Sequence, residues 1–479
     1  MSDGGAAPSA RLRTLASQSA IYGIGPVIAR FAGLLLLPIY GRHLGKAEVA
    51  NVGQIVALVA VGATIAQLGL VNALFRFAAE REGEARFAVA RTAIAMCAVA
   101  GVVLAAVAAL LTPWAAPALL GDGNDKLWLI ACAGLLISLL YEPCAGLYRV
   151  EQRPQRFLAV TLVNVTVTVL ISVIWIVDFD GKAFALVTGS FTGTLVALGV
   201  VLWDRRRALF GPVDRTLAEP LLRFGLPFMP SRVALWALNL SNRLLVAWLA
   251  TRALAGVFVV AANVASAVAL LVTAFQLAWP PFAYGIKDDE EARRVYRSVL
   301  TVWLLVALAA VLPLALAREW VIAVLAGEKW RGGADAMALL ALGLAFYGAY
   351  YVVGVAVGRA KRTQLNWVVT GVAAVTNVVL CLVLIPPYGA KGAGAATAVA
   401  YVLMSVLMVA RGNRVFPVGY DWRRLAALCA LAAALFAIGD SAFAARGTAG
   451  VAGRLIVAAL FVPLALSADL AVRRAALRR

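Results

Sequence analysis

Charge is scarce in this sequence. Asp, Glu, Lys and Arg make up 14% of its 479 residues, against about a quarter in soluble domains. With 63% hydrophobic residues and a mean hydropathy of +0.90, that scarcity excludes an ordinary soluble domain and places the chain in lipid. Acid is scarcer than base: 24 Asp and Glu stand against 43 Lys and Arg, a net charge of +19. Histidine occurs once, at His43, and a single imidazole cannot build a metal cage. The five cysteines, Cys97, Cys132, Cys144, Cys381 and Cys429, all lie in apolar runs with no CxxC pair. They read as small core hydrophobes, so neither disulfide framework nor metal site is expected. A phosphate-binding GxxxxGKS/T loop is missing, as are HExxH and GxSxG, which argues against an ATPase, a zinc hydrolase or a serine hydrolase. No aromatic-interleaved basic run suggests nucleic acid. The first twenty residues hold no apolar core before Ile21 and do not read as a cleaved signal peptide.

What is present is hydrophobic length. A membrane helix needs about 20 mostly apolar residues, and fourteen such windows appear. They are residues 19–40, 50–70, 92–112, 127–147, 158–177, 184–203, 226–248, 255–279, 298–317, 334–357, 366–385, 392–410, 424–440 and 450–470. With the N-terminus placed in the cytoplasm, the inner segments carry 29 Lys and Arg and the outer loops 10, with four inside windows. Basic residues collect on the cytoplasmic side, so both termini are expected inside. The same rule accounts for most of the net charge without a nucleic-acid partner.

The windows repeat. "DFDGKAFALVTGSFTGTLVALGVVLWDRRR" from Asp178 and "IPPYGAKGAGAATAVAYVLMSVLMVARGNR" from Ile385 share an outer Gly/Lys turn, a small-residue helix and a basic inner end. "GPVIAR", ending at Arg30, and "PFMPSR", ending at Arg232, mark the first and seventh windows. Both windows start inside, so the repeat is parallel. The expected fold is an all-α polytopic membrane protein of about fourteen transmembrane helices. Two pseudo-symmetric six-helix lobes, residues 1–203 and 226–414, would be joined by a cytoplasmic linker at 204–225 and followed by a helix pair at 415–479. Transporters built from repeats bind substrate where the repeats meet.

Arginines inside the windows are the costly feature. One at the centre of a membrane helix costs roughly 2.5–3.5 kcal/mol on insertion scales. Arg232, Asn239 and Arg243 are spaced by seven and four, which places them within roughly 40° on one helix face. Trp236 lies close to that stripe. Arg30 sits near the middle of the repeat-related first helix. Together these residues would line a cleft that binds an anionic group, for which guanidinium is suited; the other readings are a structural ion pair for Arg30 and a structural role near the inner helix end for Arg232. Arg243, near an outer helix end, either lines the cleft or snorkels to the interface. Arg454 reads as a snorkeller. Glu142, in "LLYEPCAGLY", is the one acid well inside a window; it pairs with an arginine or exchanges a proton during transport. Pro26, Pro38, Pro227 and Pro230 weaken the helices where bending is needed. Trp279 before Pro280 reads as an interfacial anchor.

Three stretches carry a family resemblance. They are "FAGLLLLPIYGRHLGKAEVANVGQIVALVAVGATIAQLGLVNALFRF" from Phe31, "LRFGLPFMPSRVALWALNLSNRLLVAWLATRALAGVFVVAANVASAVALLVTAFQLAWPPF" from Leu222, and "LIPPYGAKGAGAATAVAY" from Leu384. The sequence resembles the polysaccharide transporter family, the O-antigen and exopolysaccharide flippases of the multidrug/oligosaccharidyl-lipid/polysaccharide superfamily. It departs from them at Asn242–Arg243, where relatives often show an Asp-Arg pair. The resemblance implies two six-helix bundles plus a C-terminal pair in the inner membrane. It implies alternating access that flips a polyprenyl-diphosphate-linked oligosaccharide, with a polysaccharide polymerase and a chain-length regulator as partners. No cofactor is implied, and the coupling ion, H+ or Na+, stays open. Two readings within the superfamily remain, a peptidoglycan lipid-precursor flippase and an ion-coupled multidrug antiporter. Arginines rather than acids on the stripe count against an antiporter of cationic drugs. A membrane glycosyltransferase or polymerase is the remote alternative, disfavoured by short outer loops.

Overall fold

The computed structural model describes residues 8–179, 181–360, 364–443 and 448–467. These are almost wholly helical, with no strand among the described residues. Helix is the economical answer to lipid, because it satisfies every backbone N–H and C=O within one segment. In chain order the helices are α1 (Pro8–His43), α2 (Lys46–Ala66), α3 (Leu70–Ala79), α4 (Gly83–Leu110), α5 (Thr112–Leu120), α6 (Asp125–Val150), α7 (Pro154–Val177), α8 (Lys182–Asp204) and α9 (Arg206–Leu209). There follow α10 (Ala218–Gly225), α11 (Met229–Leu249), α12 (Arg252–Gly285), α13 (Asp289–Leu316), α14 (Arg318–Leu325), α15 (Ala334–Arg359), α16 (Gln364–Val415), α17 (Trp422–Ala442) and α18 (Thr448–Ala459).

Eleven helices among the described residues are long and apolar enough to cross a membrane. One of them, α16, breaks helical geometry at Gly389 (φ 54°, ψ −130°), and its two arms coincide with two predicted windows. Counting those arms separately, and adding α1 and α11 for the windows at 19–40 and 226–248, gives the expected fourteen. The repeat-related turn at Asp178 solves the same problem at Lys182, whose φ is 48°. Both turns therefore bring one residue into the left-handed region. The following helix then folds back on the one before it.

The chain forms two compact units, Met1–Gly256 and Val257–Arg479. The boundary lies in α12, so α11 and the segment 204–225 both belong to the first unit. Two contacts explain why α11 joins the first unit. The Trp236 indole N–H donates to the Ala57 carbonyl of α2 at 2.8 Å. Just upstream, the α2–α3 turn lies backbone to backbone on the end of α10. Gly69 has φ +71°, and a Cβ there would sit 2.0 Å from the Gly225 carbonyl oxygen. Only glycine fits such a position.

The linker is likewise packed. The Arg91 side chain, 3% exposed, pairs with Glu84 and donates to the Pro212 carbonyl at 3.4 Å. Thr92 Oγ1 donates to the Asp214 carbonyl at 3.1 Å. Phe224 of α10 meets Phe77 of α3 edge-on, ring centroids 5.8 Å apart. Leu70, Leu74, Val89, Leu147 and Leu221 form the apolar core beneath. In the second unit Trp279 is 4% exposed. It donates to the Val352 carbonyl at 3.3 Å and stacks on Phe275. It is a core residue rather than the expected interfacial anchor, because neighbouring aromatics and a helix carbonyl supply what the interface would.

Candidate functional site

The polar stripe of α11 begins just past a change of helix type. Residues Leu226–Phe228 form a single 3-10 turn between α10 and α11, with helical φ/ψ throughout. Pro227 lies in this turn and Pro230 in the first turn of α11. A proline offers no N–H to the ladder, and a tightened turn at a helix end is the usual accommodation. By contrast α1 runs unbroken past Pro26 and Pro38. The Pro26 side chain lies outside the described residues, and Pro38 is half-buried.

One carboxylate ties three helices together here. Glu142 Oε1 of α6 lies 3.3 Å from Arg232 Nη2 of α11, the two side chains 46% and 30% exposed. The other oxygen, Oε2, accepts a hydrogen bond from Gln67 Nε2. Gln67 caps the end of α2 and is 2% exposed. Of the two roles expected for Glu142, the geometry displays the ion pair. Pro143 follows directly inside α6 and deprives the Leu139 carbonyl of its ladder donor, a weak point beside the pair. Gln67 is not among the residues that charge or hydropathy marks in the sequence. Its signal was there in "IAQLGL": a buried amide closes an apolar helix before Leu68 (φ 47°) and Gly69 (φ 71°) turn the chain.

The rest of the stripe diverges. Trp236 faces α2. Asn239 is exposed, and its amide donates to the Leu235 carbonyl at 2.7 Å. Arg243 is half-buried, with the Tyr40 phenol of α1 as an electrostatic neighbour. Asn242, beside it, is 2% exposed, so this position points into the protein. Arg30 is exposed on α1, a helix that packs along α7. Arg454, read as a snorkeller, donates to the Leu316 carbonyl at 3.5 Å.

Chemically, this cluster offers a guanidinium near the start of α11, held by one oxygen of a partly solvated carboxylate. Such one-point pairing is weak beside the two-point grip that phosphate can take on the same group. The site contains the elements of an exchangeable anion seat.

Residues 39–335 match the model of a family described as polysaccharide biosynthesis protein. Among solved structures, the chain is similar to the lipid II flippase MurJ in its inward closed conformation. The TM-score is 0.76 at 12% identity, covering 96% of this chain and 99% of that one. It is also similar to an inward-facing multidrug resistance MATE family transporter of the MOP superfamily, with TM-score 0.61, 16% identity and coverage of 87% and 97%. A MOP superfamily transporter from Pyrococcus furiosus gives 0.55, 14%, 85% and 96%. No curated protein matches the chain in sequence. At these identities the structural likeness is one of fold, and the fold is the MurJ/MATE-like helical arrangement described above. The family match spans well over half of the chain, including the helices that carry Glu142 and Arg232, and this protein belongs to the polysaccharide biosynthesis protein family.

Proposed function

We propose that this protein is a flippase of the bacterial inner membrane. It would move a polyprenyl-diphosphate-linked oligosaccharide, an O-antigen, capsule or exopolysaccharide repeat unit, from the cytoplasmic to the outer side by alternating access. Both termini would be cytoplasmic. A polysaccharide polymerase and a chain-length regulator would act downstream, and an H+ or Na+ gradient would reset the cycle.

The observation that carries this reading is the one-point pairing of Arg232 with a solvated Glu142. A diphosphate offers more negative charge and a better fit to the guanidinium fork than one carboxylate does. The spacing along the helices supports a longer cationic path. Arg30 precedes Tyr40 by ten residues on α1, about 15 Å of rise, and Arg232 precedes Arg243 by eleven on α11, about 16 Å. With both helices taken to run outward, and Tyr40 among the electrostatic neighbours of Arg243, Arg30 and Arg232 would fall at similar depth. The Pro227 turn would let α11 swing between access states.

The test replaces Arg30 and Arg232 singly by Ala in a strain whose only flippase is this protein. Surface polysaccharide should fall at least tenfold for each at unchanged protein level, with Arg232→Lys intermediate. Undiminished export by both alanine variants would sink the site assignment. The likeness to MurJ motivates a second arm, growth of a strain depleted of its own lipid II flippase. Rescue there would favour the peptidoglycan precursor as substrate.

A further inference from the structure

The second unit holds a cavity of about 520 Å³ bounded by α13, α15, α17 and the turn of α16. Its walls are apolar, with Leu312, Leu342, Phe346, Ala432 and Phe436 among them. Its rim is charged. Arg318 Nε lies 2.9 Å from Asp335 Oδ1, and Arg318 Nη1 lies 2.8 Å from Asp440 Oδ1. Lys391 Nζ lies 3.0 Å from Asp335 Oδ2. The Arg318 guanidinium also caps the Phe436 ring, 5.6 Å from its centroid. All four charged residues sit at the same end of their helices, the end that the charge asymmetry of the loops assigns to the outer surface.

The dimensions identify the occupant's class. Asp335 to Phe346 on α15, and Asp440 to Cys429 on α17, are each eleven residues, or about 16 Å of helix rise. That is half of a hydrocarbon core about 30 Å thick, the depth of one leaflet. An apolar shaft one leaflet deep beneath a polar rim has the form of an extended acyl chain under its headgroup. The rim specifies the head. It carries two positive and two negative groups, so a purely anionic head would meet Asp440 and a purely cationic one would meet Arg318. Asp335, 43% exposed, is already bridged by Arg318 and Lys391, whereas Asp440, 37% exposed, pairs with Arg318 alone, so Lys391, 58% exposed, and Asp440 are the members of opposite sign that do not pair with each other. A phosphate beside a primary ammonium answers both, the phosphate on Lys391 and the ammonium on Asp440. We infer that this shaft binds one zwitterionic phospholipid of the outer leaflet, its phosphoethanolamine head on the charged rim and one acyl chain along α15 and α17. The bound lipid would fill the seam between α17 and the helices α13 and α15.

Cys429 supplies a native reporter. It lines the shaft and is partly exposed, whereas Cys97, Cys132, Cys144 and Cys381 are buried. Delipidated full-length protein in detergent is incubated with dioleoyl phosphatidylethanolamine, phosphatidylcholine, phosphatidylglycerol or a polyprenyl monophosphate. Retained lipid is measured by mass spectrometry and Cys429 alkylation by an apolar maleimide. Phosphatidylethanolamine should be retained at one per chain, with at least tenfold preference over the other three, and should slow alkylation about tenfold. Ala338→Phe, which fills the shaft wall, should abolish retention. Asp440→Asn should erase the preference over phosphatidylcholine while leaving some binding. Equal protection by all four lipids, or protection by the polyprenyl monophosphate alone, would overturn the proposal. So would full retention by a folded Ala338→Phe protein. Should that variant fail to fold, the protection of Cys429 in the unaltered protein decides the matter.

Discussion

Replacing Glu142 by Gln tests the proposed anion seat directly, because Gln keeps the shape beside Gln67 and removes only the charge. The Glu142–Arg232 separation is 3.3 Å. At an effective dielectric of 20 the bare Coulomb energy would be about 5 kcal/mol. The side chains are 46% and 30% exposed, and solvent screening reduces such pairs to about 1 kcal/mol at most. A diphosphate that takes Arg232 must displace Glu142 and give up that amount. Since about 1.4 kcal/mol is a factor of ten, E142Q should bind a short-chain polyprenyl-diphosphate saccharide about fivefold tighter. Titration calorimetry in lipid nanodiscs measures this, with Arg232→Ala as a second background in which the Glu142 substitution should have no effect. Unchanged or weaker affinity in E142Q with Arg232 intact would refute the competition between carboxylate and substrate.

Two further outcomes follow from the geometry. Gly69→Ala combines an unfavourable φ of +71° with a Cβ 2.0 Å from the Gly225 oxygen. It should cost about 1–2 kcal/mol for the left-handed backbone and about 1–3 kcal/mol more for the clash. Gly83→Ala, at φ +56° with open space around it, should cost only the first part, and thermal unfolding in detergent compares the two. Single cysteines introduced at Lys391 and at Glu290, in a background lacking the native ones, should react with an impermeant maleimide from opposite sides of intact cells and inverted vesicles. Labelling of both from one side would invalidate the topology drawn from the basic residues.

Much of this protein is dictated locally. The number of spans follows from hydrophobic length, because lipid obliges each segment to satisfy its own backbone. The positions of the turns at Lys182 and Gly389 follow from short Gly/Lys breaks between apolar runs. Arg232 and Glu142 were conspicuous for the same reason: charge inside a membrane segment is expensive and stands out from its surroundings. What they bond to was not legible. Glu142 and Arg232 are separated by 90 residues, and Gln67, the third member, is a neutral residue at the end of an ordinary helix. Hydropathy reports the cost of leaving water for each residue separately, and it carries no information about which helices meet. The grouping of α11 with the first unit depends on the Trp236 bond to Ala57 and the contact of Gly69 with Gly225, and in the second unit the burial of Trp279 depends on its aromatic neighbours. The shaft beneath Arg318 needs α13, α15 and α17 to leave a gap between them. Those are facts of three-dimensional packing, fixed by the shapes of side chains far apart in the sequence.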